Sequence, residues 1–173
     1  MLTIQVPAAA LVVLIGAAGS GKTTFVSRYF DADAVVSTDS LRRSLSGDES
    51  DQGSNRRLHQ WLEARLAAGV LAAVDATNTD WMGRAALIRR ARRYQRPAIA
   101  IVLDLPLEVC LARSAARPRT VRASVIRRQV AELGRDRPRL DLEGFSAVHL
   151  LASTAEIEGV AVEIEKGPVA RAL

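Results

Sequence analysis

A glycine-rich turn that ends in a lysine and a threonine is the segment of this sequence best suited to chemistry. Residues 11–24 read LVVLIGAAGSGKTT, which fits the spacing G-x-x-x-x-G-K-[ST] from Gly16 to Thr23. Glycines let a backbone bend tightly and approach a phosphate without a Cβ in the way. A helix that begins near Lys22 would direct its free N–H groups and the positive end of its dipole at the same anion. The motif therefore predicts a nucleoside triphosphate site.

The motif also predicts which residues bind which part of the ligand. We expect the Lys22 amine to reach the β- and γ-phosphates and the Thr23 hydroxyl to ligate Mg²⁺, with ATP or another nucleoside triphosphate as donor. The predicted nucleotide-binding residues of the turn are Gly16, Ala17, Ala18, Gly19, Ser20, Gly21, Lys22, Thr23 and Thr24.

A second candidate pair, Asp39 and Arg42, follows the next predicted strand as D-x-x-R. A carboxylate and a guanidinium three residues apart share one face of a helix. In that arrangement the arginine would bind the acceptor that carries the hydroxyl group, and the aspartate would accept the proton of that hydroxyl group. The alternative is an aspartate that only caps a helix, beside a solvated arginine.

The residues DATN and a pair of arginines further indicate which reaction the site could catalyse. DATN, Asp75 to Asn78, closes a predicted strand at the edge where ligands bind in parallel sheets. Asp75 could orient metal-bound water and Asn78 could contact the acceptor, although ordinary turn chemistry is an alternative.

Arg113 and Arg117 lie four residues apart at the end of a predicted helix, and arginines that close on a triphosphate stabilise phosphoryl transfer. An exposed helix face in an arginine-rich chain is the alternative there.

Apolar and polar runs alternate along the chain in the order of an α/β protein with a central, mostly parallel sheet. We predict one domain over residues 1–173, with a basic lid at residues 114–120 and a loop at residues 46–54. The predicted strands are 2–6, 11–15, 34–37, 70–74, 98–103, 147–151 and 160–164, the first pairing with the last. The predicted helices are 23–30, 39–45, 55–68 capped by Asn55, 81–94, one that begins at Pro106, 124–134, and one to Gly159 capped by Ser153.

Composition agrees with a folded domain, since 49% of the residues are hydrophobic and 25% are charged. No apolar run is long enough to span a bilayer and no signal-peptide pattern precedes the first strands, so we expect a cytoplasmic protein without a membrane partner. The lone Cys110 is expected to be a buried, inert thiol. The net charge of +5 and the sequence pI near 10.3 favour a polyanionic partner. Because only Lys22 and Lys166 are lysines, a GC-rich coding sequence is an equally good explanation of the arginine content.

Three segments together resemble the bacterial 5′-hydroxyl polynucleotide kinases, and most closely the kinase module of bacterial RNA end-healing and repair proteins. They are TDSLRRSLSGDESDQ, the strand end AVDATN and LPLEVCLARSAAR. The resemblance covers nearly the whole chain. It implies a P-loop kinase fold of three α/β/α layers and ATP-dependent phosphorylation of a 5′-OH end of RNA or DNA. It also implies that Asp39 is the general base, that Arg42 grips the phosphate beside the acceptor nucleotide, and that Arg113 and Arg117 belong to the lid.

The chain departs from that family in two respects. The family's kinase is often fused to phosphatase and ligase modules, so end healing here would need separate ligase or phosphatase partners. Pro118 stiffens the lid, which leaves Arg119 and Arg122 without assigned roles. RNA-versus-DNA preference and homodimer formation stay open. The rival functions are a kinase of a small-molecule hydroxyl and a non-catalytic ATP-gated module, although the latter has no need of an acceptor base.

Overall fold

Five parallel strands form the central sheet of the computed structural model. The structure describes residues 2–38 and 51–166, and in the second range it describes side chains from residue 56 onward. Asp39, Arg42 and the acidic loop residues 46–50 lie outside the described residues. The strands stand in the order β3–β4–β2–β5–β6, with bounds β2 Leu11–Ile15, β3 Val35–Ser37, β4 Ala72–Asp75, β5 Ala98–Leu103 and β6 Ala147–Leu151. A separate parallel pair joins β1, Thr3–Val6, to β7, Ala161–Ile164, which confirms the predicted pairing of the two terminal strands.

The α/β prediction is confirmed by how β2 is buried. All five of its residues are fully buried, as expected for a parallel strand with helices on both faces. Leu11, Val13 and Ile15 pack into one apolar cluster, whereas Val12 and Leu14 pack into another. Because successive side chains of a strand point to opposite faces, the sheet separates two apolar layers.

Helices fill these two layers. Their bounds are α1 Lys22–Tyr29, α2 Asp51–Ala68, α3 Trp81–Arg93, α4 Leu107–Ala115, α5 Ala123–Asp136 and α6 Thr154–Gly159, with 3₁₀ helices at Ala32–Ala34 and Arg137–Leu142. The predicted cap of α6 is confirmed, since the Ser153 side chain accepts a hydrogen bond from the Glu156 N–H group. No helix among the described residues is long and apolar enough to cross a membrane.

Several predicted boundaries are wrong: α5 ends at Asp136 instead of Gly134, Ala34 belongs to a 3₁₀ helix instead of β3, and α2 and β4 begin at other residues. The segment is already helical at Asp51, so Asn55 lies inside α2 instead of capping it. Residues 51–54 are polar or glycine and show no apolar spacing. Because polar residues are common at the start of a helix, that lack of apolar spacing did not exclude a helix there. The strand predicted from Val70 begins at Ala72. Gly69 adopts a φ of 68° and the Val70 N–H group donates to Arg65 O, so the chain is still completing the end of α2 at that point.

Candidate functional site

The glycine-rich turn joins the carboxyl end of β2 to the first residue of α1, as the motif predicts. Gly19 has a φ of 85°, and a Cβ there would lie 2.2 Å from the carbonyl oxygen of Cys110 in α4. Gly21 has a φ of 99° immediately before α1. Only glycine adopts both conformations without strain, so the backbone of α4 and the start of α1 fix the shape of the turn.

Lys22 reaches back across this turn. Its Nζ donates hydrogen bonds to Gly16 O at 2.8 Å and to Ala17 O at 2.9 Å, and lies 3.4 Å from Ser20 Oγ. The Lys22 side chain is largely buried and Ser20 is fully buried. The ammonium group therefore lies inside the concave turn, where backbone N–H groups and a positive charge together favour an anion.

Thr23 and Asp75 meet beside the turn. The Thr23 hydroxyl donates to Asp75 Oδ2 at 2.9 Å, so residues 52 positions apart in sequence bring two oxygen ligands together. Asp75 is the last residue of β4, the strand next to β2, which explains the proximity. Mg²⁺ prefers oxygen ligands and is commonly bound by one or two protein groups plus substrate phosphates and water. The pair fits the prediction that Thr23 ligates Mg²⁺ and Asp75 orients metal-bound water, and metal binding itself stays a prediction.

Asn78 occupies a tight turn beyond β4 with a φ of 48°. Its amide nitrogen donates to Leu14 O at 2.7 Å and is 3.4 Å from Ala76 O. The neighbouring Thr77 O accepts a hydrogen bond from the Gly16 N–H group at 2.9 Å. These contacts attach the DATN segment to the entry of the glycine-rich turn, and contact of Asn78 with an acceptor stays a prediction.

The two predicted lid arginines lie in different surroundings. Arg113 is at the turn: its Nη2 donates to Thr154 Oγ1 at 3.2 Å, and a Cβ on Gly21 would lie 3.4 Å from its Nη1. Arg117 follows the end of α4 and is exposed. The segment after it is tied down where the Val121 N–H group donates to Ser114 Oγ at 3.2 Å. Arg113 is therefore placed to face an anion in the turn, whereas a role for Arg117 in a lid stays a prediction.

Sequence reasoning missed Arg84, which lies in α3 with its side chain fully buried. The guanidinium contacts both carboxylate oxygens of Glu143 at 2.6 and 2.7 Å and one of Asp136 at 2.8 Å. It also donates to Asn78 O at 3.0 Å and to Thr79 O at 2.7 Å. Burial favours a lower pKa for Arg84, but the hydrogen bonds to the two carboxylates outweigh it and raise the pKa.

A signal for this burial was present in the sequence. Arg84 stands at helical spacing with Leu87, Ile88 and Ala91, which are the buried residues of α3. An arginine at the same helical spacing as an apolar stripe is buried together with the residues of that stripe. Its buried charge then needs hydrogen-bonding or oppositely charged partners.

Gln129 of α5 was also not predicted, because no motif or spacing near it in the sequence indicates a functional residue. Its Oε1 accepts a hydrogen bond from the N–H group of Ala18 in the glycine-rich turn at 2.9 Å. The partners are 111 positions apart, so only the fold brings α5 against the turn.

A cavity of about 600 Å³ opens beside the Thr23–Asp75 pair. Its polar lining is Thr23, Ser27, Ser37 and Asp75. Its apolar lining is Val26, Phe30, Ala32, Val35, Val36 and Trp61. No lysine or arginine of the described chain lines it, so it presents apolar surface, hydroxyl groups and the Asp75 carboxylate to a ligand.

Solved structures share this fold at low sequence identity. A sugar kinase from Janibacter sp. HTCC2649 is 24% identical with a TM-score of 0.56, over 83% of this chain and 84% of that one. A chain of the AvrRxo1-ORF1:-ORF2 complex with ATP is 15% identical with a TM-score of 0.62, over 87% and 55% respectively. A chain of the Pnkp1/Rnl/Hen1 complex is 24% identical with a TM-score of 0.52, over 70% and 42%.

These likenesses establish the fold alone, and this chain spans about half the length of the last two. No curated protein matches the sequence significantly. The model of one protein family, described as an AAA domain, matches residues 11–139, which contain the glycine-rich turn, Asp75, Arg113 and Gln129. Because that match covers most of the chain, the protein belongs to this AAA domain family, whose phosphate-binding P-loop is the turn from Gly16 to Thr23.

Proposed function

We propose that this protein is an ATP-dependent kinase that transfers the γ-phosphate to the 5′-hydroxyl end of RNA or DNA. The observation that carries the acceptor class is the exposed face of α5 and its flanks, here called the basic face. Residues 117–139 contain eight arginines and two acidic residues. All eight arginines are exposed, and Arg137 alone of them contacts Asp104, at 2.7 Å. They are Arg117, Arg119, Arg122, Arg127, Arg128, Arg135, Arg137 and Arg139.

The two acidic residues of this segment are directed inward. Glu132 accepts from the Thr79 hydroxyl at 2.9 Å, and Asp136 pairs with buried Arg84. Of the exposed arginines, Arg128 alone is within ion-pair range of either carboxylate, at 3.7 Å from Glu132. The outer surface of α5 therefore keeps its positive charge, and the same helix contacts the P-loop through Gln129. A phosphate backbone bound along this face would bring its end to the triphosphate.

The reaction asks mainly for positioning and charge stabilisation. The 5′-oxygen attacks the γ-phosphorus in line, its bond to phosphorus forms as the bond to the bridging oxygen breaks, and ADP leaves on the opposite side. Lys22 and Arg113 stabilise the charge on the phosphate oxygens, and Asp39 accepts the proton of the hydroxyl. Thr23 and Asp75 would hold Mg²⁺, which when bound neutralises charge on the phosphates.

The second candidate function is a kinase of a small-molecule hydroxyl, such as a sugar, nucleoside or antibiotic. The cavity beside Thr23 and Asp75 favours it, because its described lining is mostly apolar, adds hydroxyl groups from one threonine and two serines, and has Asp75 as its one charged residue. A neutral acceptor with an apolar face fits such a lining better than a phosphate backbone does.

One experiment separates the two functions. The protein is incubated with γ-labelled ATP, Mg²⁺ and a panel of 5′-OH oligonucleotides, nucleosides and sugars. We expect label on oligonucleotides, and a loss of that transfer in Arg127→Glu/Arg135→Glu. The matched control is Arg89→Glu/Arg93→Glu, which reverses two exposed arginines of α3 and so changes the net charge equally. Label on nucleosides or sugars alone would establish the second function instead.

A further inference from the structure

The peptide bond between Ala17 and Ala18 is held from both sides. Its carbonyl oxygen accepts from Lys22 Nζ at 2.9 Å and from the Ser20 N–H group at 3.1 Å, and its N–H group donates to Gln129 Oε1 at 2.9 Å. Lys22 and Ser20 belong to the P-loop motif itself. Gln129 comes from α5, outside the motif.

Triphosphate binding affects the contacts from Lys22 and Gln129 differently. When Lys22 reaches the β- and γ-phosphates, its ammonium group shares its three donors between phosphate oxygens and the carbonyl groups of Gly16 and Ala17. The Lys22 contact on the carbonyl side of the Ala17–Ala18 peptide then weakens. The contact from Gln129 does not depend on Lys22, so it persists through this change.

Gln129 is itself held on a rigid support. Gln129, Glu132 and Asp136 lie at helical spacing along one face of α5. Glu132 accepts from Thr79 Oγ1 at 2.9 Å and Asp136 accepts from Arg84 Nη2 at 2.8 Å. These contacts bind α5 to Thr79, four residues beyond Asp75, and to Arg84 in α3. The helix thus joins the P-loop to the segment that follows β4.

We infer that Gln129 is a positioning residue for the triphosphate, which acts by fixing the Ala17–Ala18 peptide of the P-loop through its N–H group. This inference rests on the proposed use of the P-loop as an ATP site. It adds a function for the inner face of α5, so that the helix has a nucleotide-positioning face and a basic face.

The test compares two substitutions that differ in a single property. Gln129→Met keeps the length of the side chain but removes the oxygen acceptor, whereas Gln129→Glu keeps an acceptor at the same position. Loss of one hydrogen bond of this kind corresponds to about 3- to 10-fold in an equilibrium constant. We expect Gln129→Met to weaken binding of ADP and a non-hydrolysable ATP analogue by that factor in calorimetry, and to lower kcat as well. At saturating nucleotide, Gln129→Glu should restore kcat, while its added negative charge raises KM for ATP.

Gln60→Met is the matched control, because Gln60 is an exposed glutamine in α2. It should leave binding and kcat within twofold of wild type. If Gln129→Met binds nucleotide as wild type does, or if Gln129→Glu fails to restore kcat while both variants melt normally, the inference is overturned. Failure of the wild-type protein to bind nucleotide at all would instead overturn the proposed function, so the two failures are distinguishable.

Discussion

Replacement of Arg84 by methionine should be among the most damaging single substitutions in the described part of the chain. Methionine preserves most of the aliphatic length and removes the charge and all five donors. Two carboxylates, those of Glu143 and Asp136, would then lack their principal partner, and Asn78 O and Thr79 O would each lose a hydrogen bond. The perturbation therefore removes one side of a buried ion network.

The magnitude follows from the burial of each partner. Removal of one member of a buried ion pair costs about 3–5 kcal/mol, because the remaining charge stays desolvated. The Arg84 side chain is 0% exposed, but the side chains of Asp136 and Glu143 keep 27% and 18% exposure. Water can therefore partly solvate the stranded carboxylates, which places the expected cost at the lower end, about 3 kcal/mol. For a chain of this size that corresponds to a decrease in Tm of about 6–12 °C.

The assay is urea unfolding followed by circular dichroism, with calorimetry to measure Tm. Arg84→Lys should recover only part of the loss, since an ammonium group cannot reproduce the bidentate contact with Glu143. Arg89→Met, at an exposed position of the same helix, should stay within about 0.5 kcal/mol of wild type. A loss of less than about 1 kcal/mol in Arg84→Met would refute the reasoning, because it would mean that the two carboxylates do not depend on the guanidinium.

Four further outcomes are expected. Lys22→Ala or Thr23→Ala should abolish phosphoryl transfer in a protein that still folds, and near-normal turnover of folded Lys22→Ala would rule out the P-loop assignment. Oligonucleotide binding should weaken steeply as salt rises, because neutralised phosphates release counterions; a flat response would favour the small-molecule acceptor. Asp39→Asn should lower transfer about 10²–10⁴-fold with little change in ATP affinity, whereas a simple helix cap would tolerate asparagine. Burial lowers the pKa of both His59 and His149 below the ordinary 6.5, so the free energy of unfolding should fall as pH decreases from about 7 to 5, and His149→Phe should remove the contribution of His149 while that of His59 stays.

The parts of the fold that could be predicted from the sequence are those with a local cause. The unbroken apolar run of β2, the glycines of the P-loop and the serine before α6 each act on residues within a few positions of themselves. Their structures follow from backbone sterics, strand burial and capping, so a short window of sequence is sufficient. The same locality allows the motif alone to place Lys22 and Thr23 at the end of the turn, whereas their roles in phosphate and metal binding stay predictions.

The parts that could not be predicted depend on contacts between distant segments. Arg84 meets Glu143 at a separation of 59 residues, and Gln129 meets Ala18 at a separation of 111. Neither partner can be identified without the topology that places α5 beside the P-loop. Arg84 carried a partial signal, its register with the apolar stripe of α3, but no pattern in the sequence specified which carboxylates would neutralise it.

The arginines illustrate why contacts between distant segments, which the sequence does not reveal, matter for function. Two segments, residues 84–96 and 113–139, are dense in arginine and look equally able to bind a polyanion. In the first segment Arg84 is buried, Arg90 lies 3.5 Å from Glu63, and Arg96 donates to Leu66 O, so these three charges serve the fold. In the second segment Glu132 and Asp136 turn inward and the arginines of α5 stay exposed. Arg113 of that segment lies at the P-loop, and Arg137 pairs with Asp104 at 2.7 Å. A net charge of +5 therefore understates the charge that a ligand would meet along α5, and we expect charge reversal to impair polyanion binding there far more than on α3.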